Sequence, residues 1–488
     1  MASVRCVDNA LGFTQVAPGM PSVGSGATDI PVQGNLLRNI IEGADLVMSH
    51  ILHFYHLAAL DYINTAYAGC PISGQAPWWP KDNTADMVGS TPATTGLATT
   101  LILNYVTALD IRREAHRLAA YASGKQPCTP ALIPGGVTKV VDGGLATNMS
   151  GVLSTIRNFI DNTYIPNVVT VAQAFSGSLL VGSAAQGVGR GCKKYLAYGT
   201  FPTASNTQFI TGGFADCTNA AVSAWTVSPL NPANIEEHIK YSYYDEGVLG
   251  AYNMLNPSVG VTKPDRSKAG AYSWVKAPRY QTGAGSANTN VAEVGPLARI
   301  MVNYLAGVEP WVSVVNQFIT GALGLALETG LANMPSVLGR HAARALECQG
   351  VADEMQNWIA ALTTTATTGE TYRHRNIPRT SSAGYGLTEA PRGALGHWIR
   401  IDGTKVTSYQ CVVPTTWNGS PKDTYGQNGP IEQAIMGTVV TDDATGRTKI
   451  GRIVRSFDPC IACAVHIVSP DKKKVTKFEV VPPGCSIK

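Results

Sequence analysis

The segment with the strongest chemical character lies near the C-terminus, where two cysteines and a histidine recur at intervals of three. Cys460, Cys463 and His466 follow Asp458 and Pro459 in the run DPCIACAVH. Two thiolates and an imidazole at this spacing are soft ligands, which select a transition metal. Proline suits the first position of a helix and aspartate its N-cap, so the pattern predicts a helix that starts at Pro459 and carries all three ligands along one side. The N–H groups at such a helix N-terminus would favour the metal-binding thiolate.

A single Cys-x2-Cys pair fits more than one kind of site. The chain has ten cysteines, and no second Cys-x2-Cys occurs among them. The pair could be two buried cysteines that meet by chance, or half of a structural zinc site, although zinc normally needs a second pair of ligands at short spacing. The spacing alone favours zinc and another transition metal about equally. Cysteines this sparse do not indicate a disulfide-stapled scaffold.

Further segments, in the same order along the chain, place this motif in a family. Together with the C-terminal motif they resemble the large subunit of nickel-iron hydrogenases over nearly the whole length. These segments are residues 2–5 with 8–12, 53–57 with 60–61, 293–299, 389–397 and 412–418. Several ordered motifs are together far more specific than any one of them.

The resemblance implies a buried nickel-iron centre whose ligands include the two cysteines. The thiolate of Cys460 would bind nickel terminally, and that of Cys463 would bridge nickel and iron. The iron would carry CO and cyanide. His466 and the backbone carbonyl of Cys411 would belong to a magnesium-type site that ties the C-terminus into the core.

The resemblance also implies roles for residues around the open face of the metals. Arg392 would lie over that face and donate to one cyanide, while the hydroxyl of Thr415 would donate to the other. Asp61 and Asp458 would orient Arg392, and Pro391 would fix the backbone beside it. These residue types suit the splitting of dihydrogen, because a fixed guanidinium in a dry pocket stabilises separated charge and does not titrate away.

Without the family, these side chains have plainer interpretations. Arg392 alone would be an ion pair near a turn, and Asp61 alone a polar helix residue. His50, His53 and His56 recur on one side of a predicted helix. We interpret these three as packed, hydrogen-bonded core histidines rather than metal ligands.

In this family a second Cys-x2-Cys pair supplies the remaining thiolates, just before the segment that residues 2–12 resemble. The printed sequence does not contain that pair, so we expect an upstream segment or a separate chain to carry it. Residues 1–466 would form the catalytic domain. The lysine-containing residues 467–488 resemble the C-terminal extension that a maturation endopeptidase removes once nickel is loaded.

These implications predict the catalytic large subunit of a [NiFe] hydrogenase, which reversibly and heterolytically cleaves H2 into protons and electrons. The electrons would pass to an iron-sulfur small subunit, because this chain has too few grouped cysteines to hold Fe-S clusters. The patterns favour the uptake type, placed in the periplasm or at a membrane through the small subunit and a cytochrome b; a cytoplasmic location is also compatible. The alternatives are a hydrogen-sensing regulatory subunit and a non-enzymatic zinc-binding or metal-free relative.

Hydrophobic periodicity predicts the elements that would position these residues. Apolar residues recur at spacings of three and four in segments joined by Gly- and Pro-rich connections. The predicted helices cover residues 35–67, 95–121, 148–174, 295–305, 311–333 and 336–362, and alternation predicts strands at 207–211, 397–401 and 409–414. Residues 200–290 are expected to run over the surface. The pattern favours one α+β unit, predominantly helical, with a central bundle of long helices and small peripheral β elements.

Composition narrows the class of protein. A chain of 488 residues, 44% of them hydrophobic, buries a large core, which excludes disordered and fibrous proteins. The net charge of +4 is too small for a nucleic-acid-binding surface. Charged residues make up only 14%, which indicates a surface partly covered by a partner. The sequence shows neither an apolar run long enough to span a membrane nor a signal-peptide pattern in its first twelve residues.

Overall fold

Helices of very different length follow one another along the chain. The computed structural model describes residues 1–63, 92–174, 189–248, 254–260, 262–365, 369–377, 380–438, 444–460, 467–468 and 475–476. The helices are α1 (Ala2–Ala10), α2 (Val32–Leu52), α3 (Pro92–Ser123), α4 (Gly143–Phe159), α5 (Ile165–Ala174), α6 (Pro296–Leu305), α7 (Trp311–Gln317), α8 (Leu327–Asn333), α9 (Val337–Thr365), α10 (Pro414–Asn418), α11 (Pro430–Ile435) and α12 (Ala444–Ser456).

Short strands form small antiparallel sheets between the helices. The strands are β1 (Gln15–Ala17), β2 (Met20–Pro21), β3 (Leu132–Ile133), β4 (Gly136–Val137), β5 (Lys194–Ala197), β6 (Thr200–Pro202), β7 (Gln208–Ile210), β8 (Gly213–Asp216), β9 (Thr226–Pro229), β10 (Ile235–His238), β11 (Met254–Leu255), β12 (Ala277–Gln281), β13 (Thr289–Asn290), β14 (Ser382–Ala390), β15 (Gly393–Asp402), β16 (Lys405–Val412), β17 (Ile467–Val468) and β18 (Val475–Thr476). The larger sheets have the orders β14-β15-β16, β5-β8-β9 and β11-β10-β12-β13. The prediction of a mixed helix-and-strand fold is therefore confirmed.

The long helices bury their apolar faces against one another. α2 contacts both α3 and α9, and α4 contacts the same two helices. The apolar residues along these contacts are buried, among them Ile40, Val47, Leu101, Ile156 and Val351. Each such side chain contributes about 1.5–3 kcal/mol when it leaves water. Among the described residues, no helix combines the length and the apolar character needed to cross a membrane.

The predicted helix at 35–67 ends earlier than its periodicity indicates. α2 stops at Leu52 and continues as a π-helical turn, His53–Ala58, and a 3-10 turn, Ala59–Tyr62. The predicted helix at 148–174 is also interrupted, by the π-helical turn Ile160–Tyr164 between α4 and α5. Apolar spacing does not distinguish these turns from regular helix, and π turns are frequent at functional sites. This irregular end of α2 carries both His53 and Asp61.

The predicted helix at 311–333 is wrong in its middle. α7 passes into a π-helical turn, Phe318–Ala322, and α8 begins only at Leu327. Between them Gly324 adopts a φ of +64°. Glycine reaches this left-handed conformation without steric cost and ends helices for that reason.

The three-stranded sheet β14-β15-β16 is covered on one face by α1. A Cβ atom at Gly384 would lie 2.4 Å from the backbone nitrogen of Ala10, and one at Gly386 would lie 2.3 Å from that of Cys6. Only glycine therefore lets the helix approach the strand this closely. Residues 200–290, predicted to run over the surface, also enter the core, since Phe201, Ala215 and Ile235 are fully buried there.

Candidate metal-binding site

The predicted arginine lies on the tight turn between β14 and β15. Pro391 and Arg392 form the two central residues, and Ala390 pairs with Gly393 to close the hairpin. Gly393 has a φ of +131°, and a Cβ there would come within 2.6 Å of the backbone nitrogen of Gly295. The turn is therefore pressed against the start of α6.

A buried arginine on α6 anchors this turn from beneath. Arg299 forms a forked ion pair with Glu347, in which its Nη2 lies 2.6 Å from Oε2, and its Nη1 donates to Glu389 at 2.7 Å. The same two amino groups donate to the backbone carbonyls of Ala390 and Pro391, each at 3.0 Å. All five N–H groups of the guanidinium are thus used, two of them on the backbone of the turn.

The charges of this anchor differ in their protonation behaviour. Although burial opposes it, pairing with Arg299 lowers the pKa of Glu347 to about 2. Burial raises the pKa of Glu389 to about 7. His50 lies 2.7 Å from Glu347, and burial lowers the pKa of this histidine to about 4. At neutral pH the anchor therefore contains a charged Arg299–Glu347 pair beside a neutral imidazole.

Arg392 itself faces the segment that precedes the cysteine motif. Its Nε lies 3.1 Å from Oδ1 of Asp458, a side chain that is completely buried, whereas that of Arg392 is 32% exposed. The contact is an ion pair without the alignment of a hydrogen bond, and within the described part of the chain neither carboxylate oxygen of Asp458 accepts one. A buried carboxylate with free lone pairs marks a polar site that is incomplete within the described residues.

The prediction that Asp458 caps a helix starting at Pro459 is wrong. Asp458 has a φ of +53°, which an N-cap does not adopt, and residues 458–460 are not helical. The N–H of Cys460 donates to the hydroxyl of Thr415 at 3.2 Å instead of to the aspartate. Thr415 stands in the first turn of α10, so its hydroxyl links that helix to the half-buried Cys460.

The last turn of α12 and the residue that follows it are held by side chains from distant elements. The Nη2 of buried Arg344, on α9, donates to the carbonyl of Ser456 at 3.1 Å. His53 lies 2.6 Å from the carbonyl of Arg455 through its Nε2. The guanidinium of Arg340 stacks 3.8 Å above the ring of Phe457. The pKa of His53 is well below its usual value, chiefly because of burial, so the ring is neutral and donates.

Asp61 belongs to this second set of contacts. Its two carboxylate oxygens accept from Nε and Nη2 of Arg455 at 2.5 and 2.7 Å. Arg452 donates to the backbone carbonyl of Asp61 at 3.0 Å. The predicted contact with Arg392 is thus present for Asp458, whereas the carboxylate of Asp61 is bonded to Arg455.

The predicted metal ligands are described only in part. Cys463 and His466 lie outside the described residues, as does nearly all of the proposed extension at 467–488. Cys411 lies on the edge strand β16 opposite His397. Within the described ranges no cluster of three or more His, Cys, Asp and Glu side chains is placed to hold a metal ion. Cys460 nevertheless fits a metal ligand, since its soft sulfur lies two residues from the orphaned carboxylate of Asp458.

The predicted core histidines are hydrogen-bonded. His50 and His53 are buried, and His56 lies 3.1 Å from the carbonyl of Tyr105. Sequence reasoning missed Arg299, Arg344 and Arg455. Only Arg299 carried a signal, because it ends the motif at 293–299, and that motif had no assigned role.

Comparison with known proteins decides the family. The model of the family described as "Nickel-dependent hydrogenase" matches residues 1–70 and 89–466. The chain belongs to the nickel-dependent hydrogenase family. The resemblance inferred from the motifs is thereby confirmed.

Relatives within this hydrogenase family cover most of the chain. A periplasmic [NiFeSe] hydrogenase large subunit from Desulfomicrobium baculatum is 33% identical over 90% of this chain and 79% of its own length. An uptake hydrogenase large subunit from Bradyrhizobium diazoefficiens is 29% identical over 98% and 86%. The crystal structure of a reduced, active form of the Ni-Fe-Se hydrogenase from D. baculatum superposes with a TM-score of 0.77 at 31% identity, covering 95% of this chain and 86% of that one.

Proposed function

We propose that this chain is the catalytic large subunit of a [NiFe] hydrogenase, which splits H2 heterolytically and reversibly into two protons and two electrons. The observation that carries the proposal is the Arg392–Asp458 ion pair two residues before Cys460, in a chain of the hydrogenase family. A guanidinium, a buried carboxylate and a soft sulfur are thus brought to one place from the β14–β15 turn and the segment that follows α12.

Cys460 and Cys463 would hold the Ni-Fe centre, with CO and cyanide completing the iron. The hydroxyl of Thr415 and the guanidinium of Arg392 are the donors available to the cyanides. When bound, the centre supplies the Lewis acidity and the redox chemistry that break the H–H bond. Thr415 already accepts from the N–H of Cys460, which leaves its own O–H free to donate.

The residues of the chain supply the electrostatic stabilisation around the bond being broken. Arg392 presents a charge that does not titrate and stabilises charge as it separates. Asp458 lies against one side of the guanidinium, balances its charge and would orient it. Pro391 restricts the backbone of the turn, because its ring sets φ.

The family context supports further parts of the proposal. Electrons would leave through an iron-sulfur small subunit, in an enzyme of the uptake type that acts in the periplasm or at a membrane with a cytochrome b. His466 and the carbonyl of Cys411 would bind magnesium, and residues 467–488 would be removed by a maturation endopeptidase. A second Cys-x2-Cys pair would come from an upstream segment or another chain. α2, α3, α4 and α9 would form the central helix bundle of this subunit.

Metal analysis and hydrogen oxidation test the proposal. The protein is produced with its maturation machinery and small subunit, then assayed for nickel, iron and zinc, for H2-dependent dye reduction, and for infrared bands of CO and cyanide. We expect nickel, iron, the bands and turnover. Zinc without nickel and without the bands would instead indicate the non-enzymatic relative, and nickel with negligible turnover would indicate the hydrogen sensor.

A further inference from the structure

We infer that Arg299 is a positioning residue for Arg392, acting through the backbone of the turn that carries it. The inference deepens the proposed function and rests on it for its activity readout. Its structural basis is independent, since it lies in hydrogen bonds between two motifs, at 293–299 and 389–397, of which the first has no other assigned role.

The geometry makes Arg299 the meeting point of the elements around the turn. It projects from α6, pairs with Glu347 on α9 and with Glu389 at the end of β14, and donates to the carbonyls of Ala390 and Pro391. Those carbonyls immediately precede Arg392. The direction in which the Arg392 side chain leaves the hairpin is therefore tied to the guanidinium beneath it.

The ion pairs hold Arg299 in one orientation. Its side chain is 1% exposed, and those of Glu347 and Glu389 are completely buried. Glu389 is itself fixed, because its Oε1 accepts from the backbone N–H of Tyr198 at 2.5 Å. A planar guanidinium whose N–H groups are all bonded in a buried site has no alternative partner, so it transmits position rather than absorbing movement.

Lysine at position 299 would keep the charge but lose the fork. An ammonium has three N–H groups on one atom, so it cannot reach Glu347, Glu389 and both carbonyls at once. We expect the turn to become more mobile and the Arg392 side chain to lose its fixed position beside Asp458. A misplacement of about 1 Å in a catalytic group lowers turnover by about 100-fold.

Arg279 provides a matched control. It is also fully buried, pairs with Asp423 through Nε, and donates to the carbonyls of Pro421 and Gln427. The loop that it holds contains none of the proposed site residues. Arg279→Lys therefore removes an equally buried and hydrogen-bonded guanidinium that holds a different loop.

The test is a double-mutant cycle on the holoenzyme with its small subunit. Arg299→Lys is expected to lower kcat for H2 oxidation by about tenfold to 100-fold with nickel content and KM for H2 unchanged. In an Arg392→Lys background the same substitution should lower kcat by less than about threefold further, because the guanidinium through which Arg299 acts is already gone. Additive losses in the two backgrounds, or an equal loss in Arg279→Lys, would overturn the inference.

Amide hydrogen exchange provides a readout that does not depend on turnover. Exchange in the peptide covering residues 389–395 should be faster in Arg299→Lys and unchanged in Arg279→Lys. Unchanged exchange in Arg299→Lys would refute the positioning role even in an active enzyme. If the wild-type protein lacks nickel and turnover, the proposed function fails, and the exchange comparison still decides whether Arg299 positions the turn.

Discussion

Two short backbone segments meet at the Arg392–Asp458 ion pair, and they are supported in different ways. The turn that carries Arg392 closes a ladder of paired residues that runs from Ser382 opposite Ile401 to Ala390 opposite Gly393. Arg299 adds a buried anchor below it. Both ends of this turn are therefore constrained by continuous secondary structure.

The segment that carries Cys460 has regular structure only on its N-terminal side, where α12 ends at Ser456. His53 and Arg344 donate to carbonyls in the last turn of α12, and beyond that turn the N–H of Cys460 donates to the hydroxyl of Thr415. A typical hydrogen bond contributes about 1 kcal/mol net, and segments held by few such contacts open at lower free energy than paired strands. Arg392 is thus held by continuous secondary structure, whereas the segment of Cys460 is held by separate contacts that can open individually.

Replacing the thiol should have the largest effect. Cys460→Ser removes a soft ligand, so we expect nickel to fall to background and H2 oxidation to be lost. Metal analysis of the purified protein measures this. Cys192→Ser is the control, since that thiol is also half-buried but burial raises its pKa to about 11 and keeps it protonated. Full nickel content in Cys460→Ser would remove the residue from the ligand set.

Replacing the cation should leave the metals in place. Arg392→Lys keeps a charge but loses the planar guanidinium, and kcat should fall by about 100- to 1000-fold with nickel retained. Arg400→Lys, on the same strand β15 but exposed, should behave as wild type. Loss of nickel in Arg392→Lys would mean that the turn and the cysteine segment are not independently supported.

The anchor of the turn should depend on pH through His50. Its pKa in the folded protein is about 4, below the ordinary value of 6.5, mainly because of burial. A group with a depressed folded pKa takes up its proton first in the unfolded state, so the contribution of His50 to stability is complete above pH 6.5 and is lost as pH decreases towards 4. The loss attributable to this residue is roughly 3 kcal/mol.

His50→Gln isolates that contribution. Glutamine also donates to Glu347 but does not titrate, so wild type should lose unfolding free energy relative to the variant between pH 7 and pH 4.5. Chemical denaturation at several pH values measures the difference. Parallel curves for the two proteins would show that His50 does not titrate between the folded and unfolded states in this range.

The smallest effect concerns the segment to which Asp61 belongs. Asp61→Asn leaves Arg455 without its carboxylate, but Arg455 is 38% exposed and regains water, so we expect a loss of about 1–2 kcal/mol of stability. The loss should be non-additive with Arg455→Lys and additive with Arg392→Lys. Coupling to Arg392 instead would place Asp61 at the turn, as the family resemblance implies.

Much of the fold could be predicted from the sequence because apolar periodicity reports which face of a helix is buried. It located the start of α2 and both ends of α3, α6 and α9 to within a few residues. It did not detect the π-helical turn at His53–Ala58, since such a turn keeps apolar residues on the buried side. The break near Gly324 was missed for a related reason, because a glycine within an apolar pattern is compatible with continued helix.

The candidate site was predictable in its residue types but not in its contacts. The motifs singled out Arg392, Asp458, Thr415 and Cys460, and the structure brings these four together. The motifs did not predict that Asp61 would bond to Arg455, or that Arg299 would bond to the turn. Those pairs are separated by 394 and 92 residues, and nothing in local spacing indicates them.

The sequence by itself determined the family and the chemical character of the site, because ordered motifs and soft ligands depend only on residue identity and spacing. Only the tertiary structure decided which residues pair with Arg392, with Asp61 and with the backbone of the Arg392 turn. The reason is physical: a buried charge has to be paired, and its partner is whichever opposite charge the packing of helices and strands brings within about 3 Å. In this fold the packing pairs Arg392 with Asp458 and Asp61 with Arg455, and it places Arg299 where it donates to the backbone of the turn that carries Arg392.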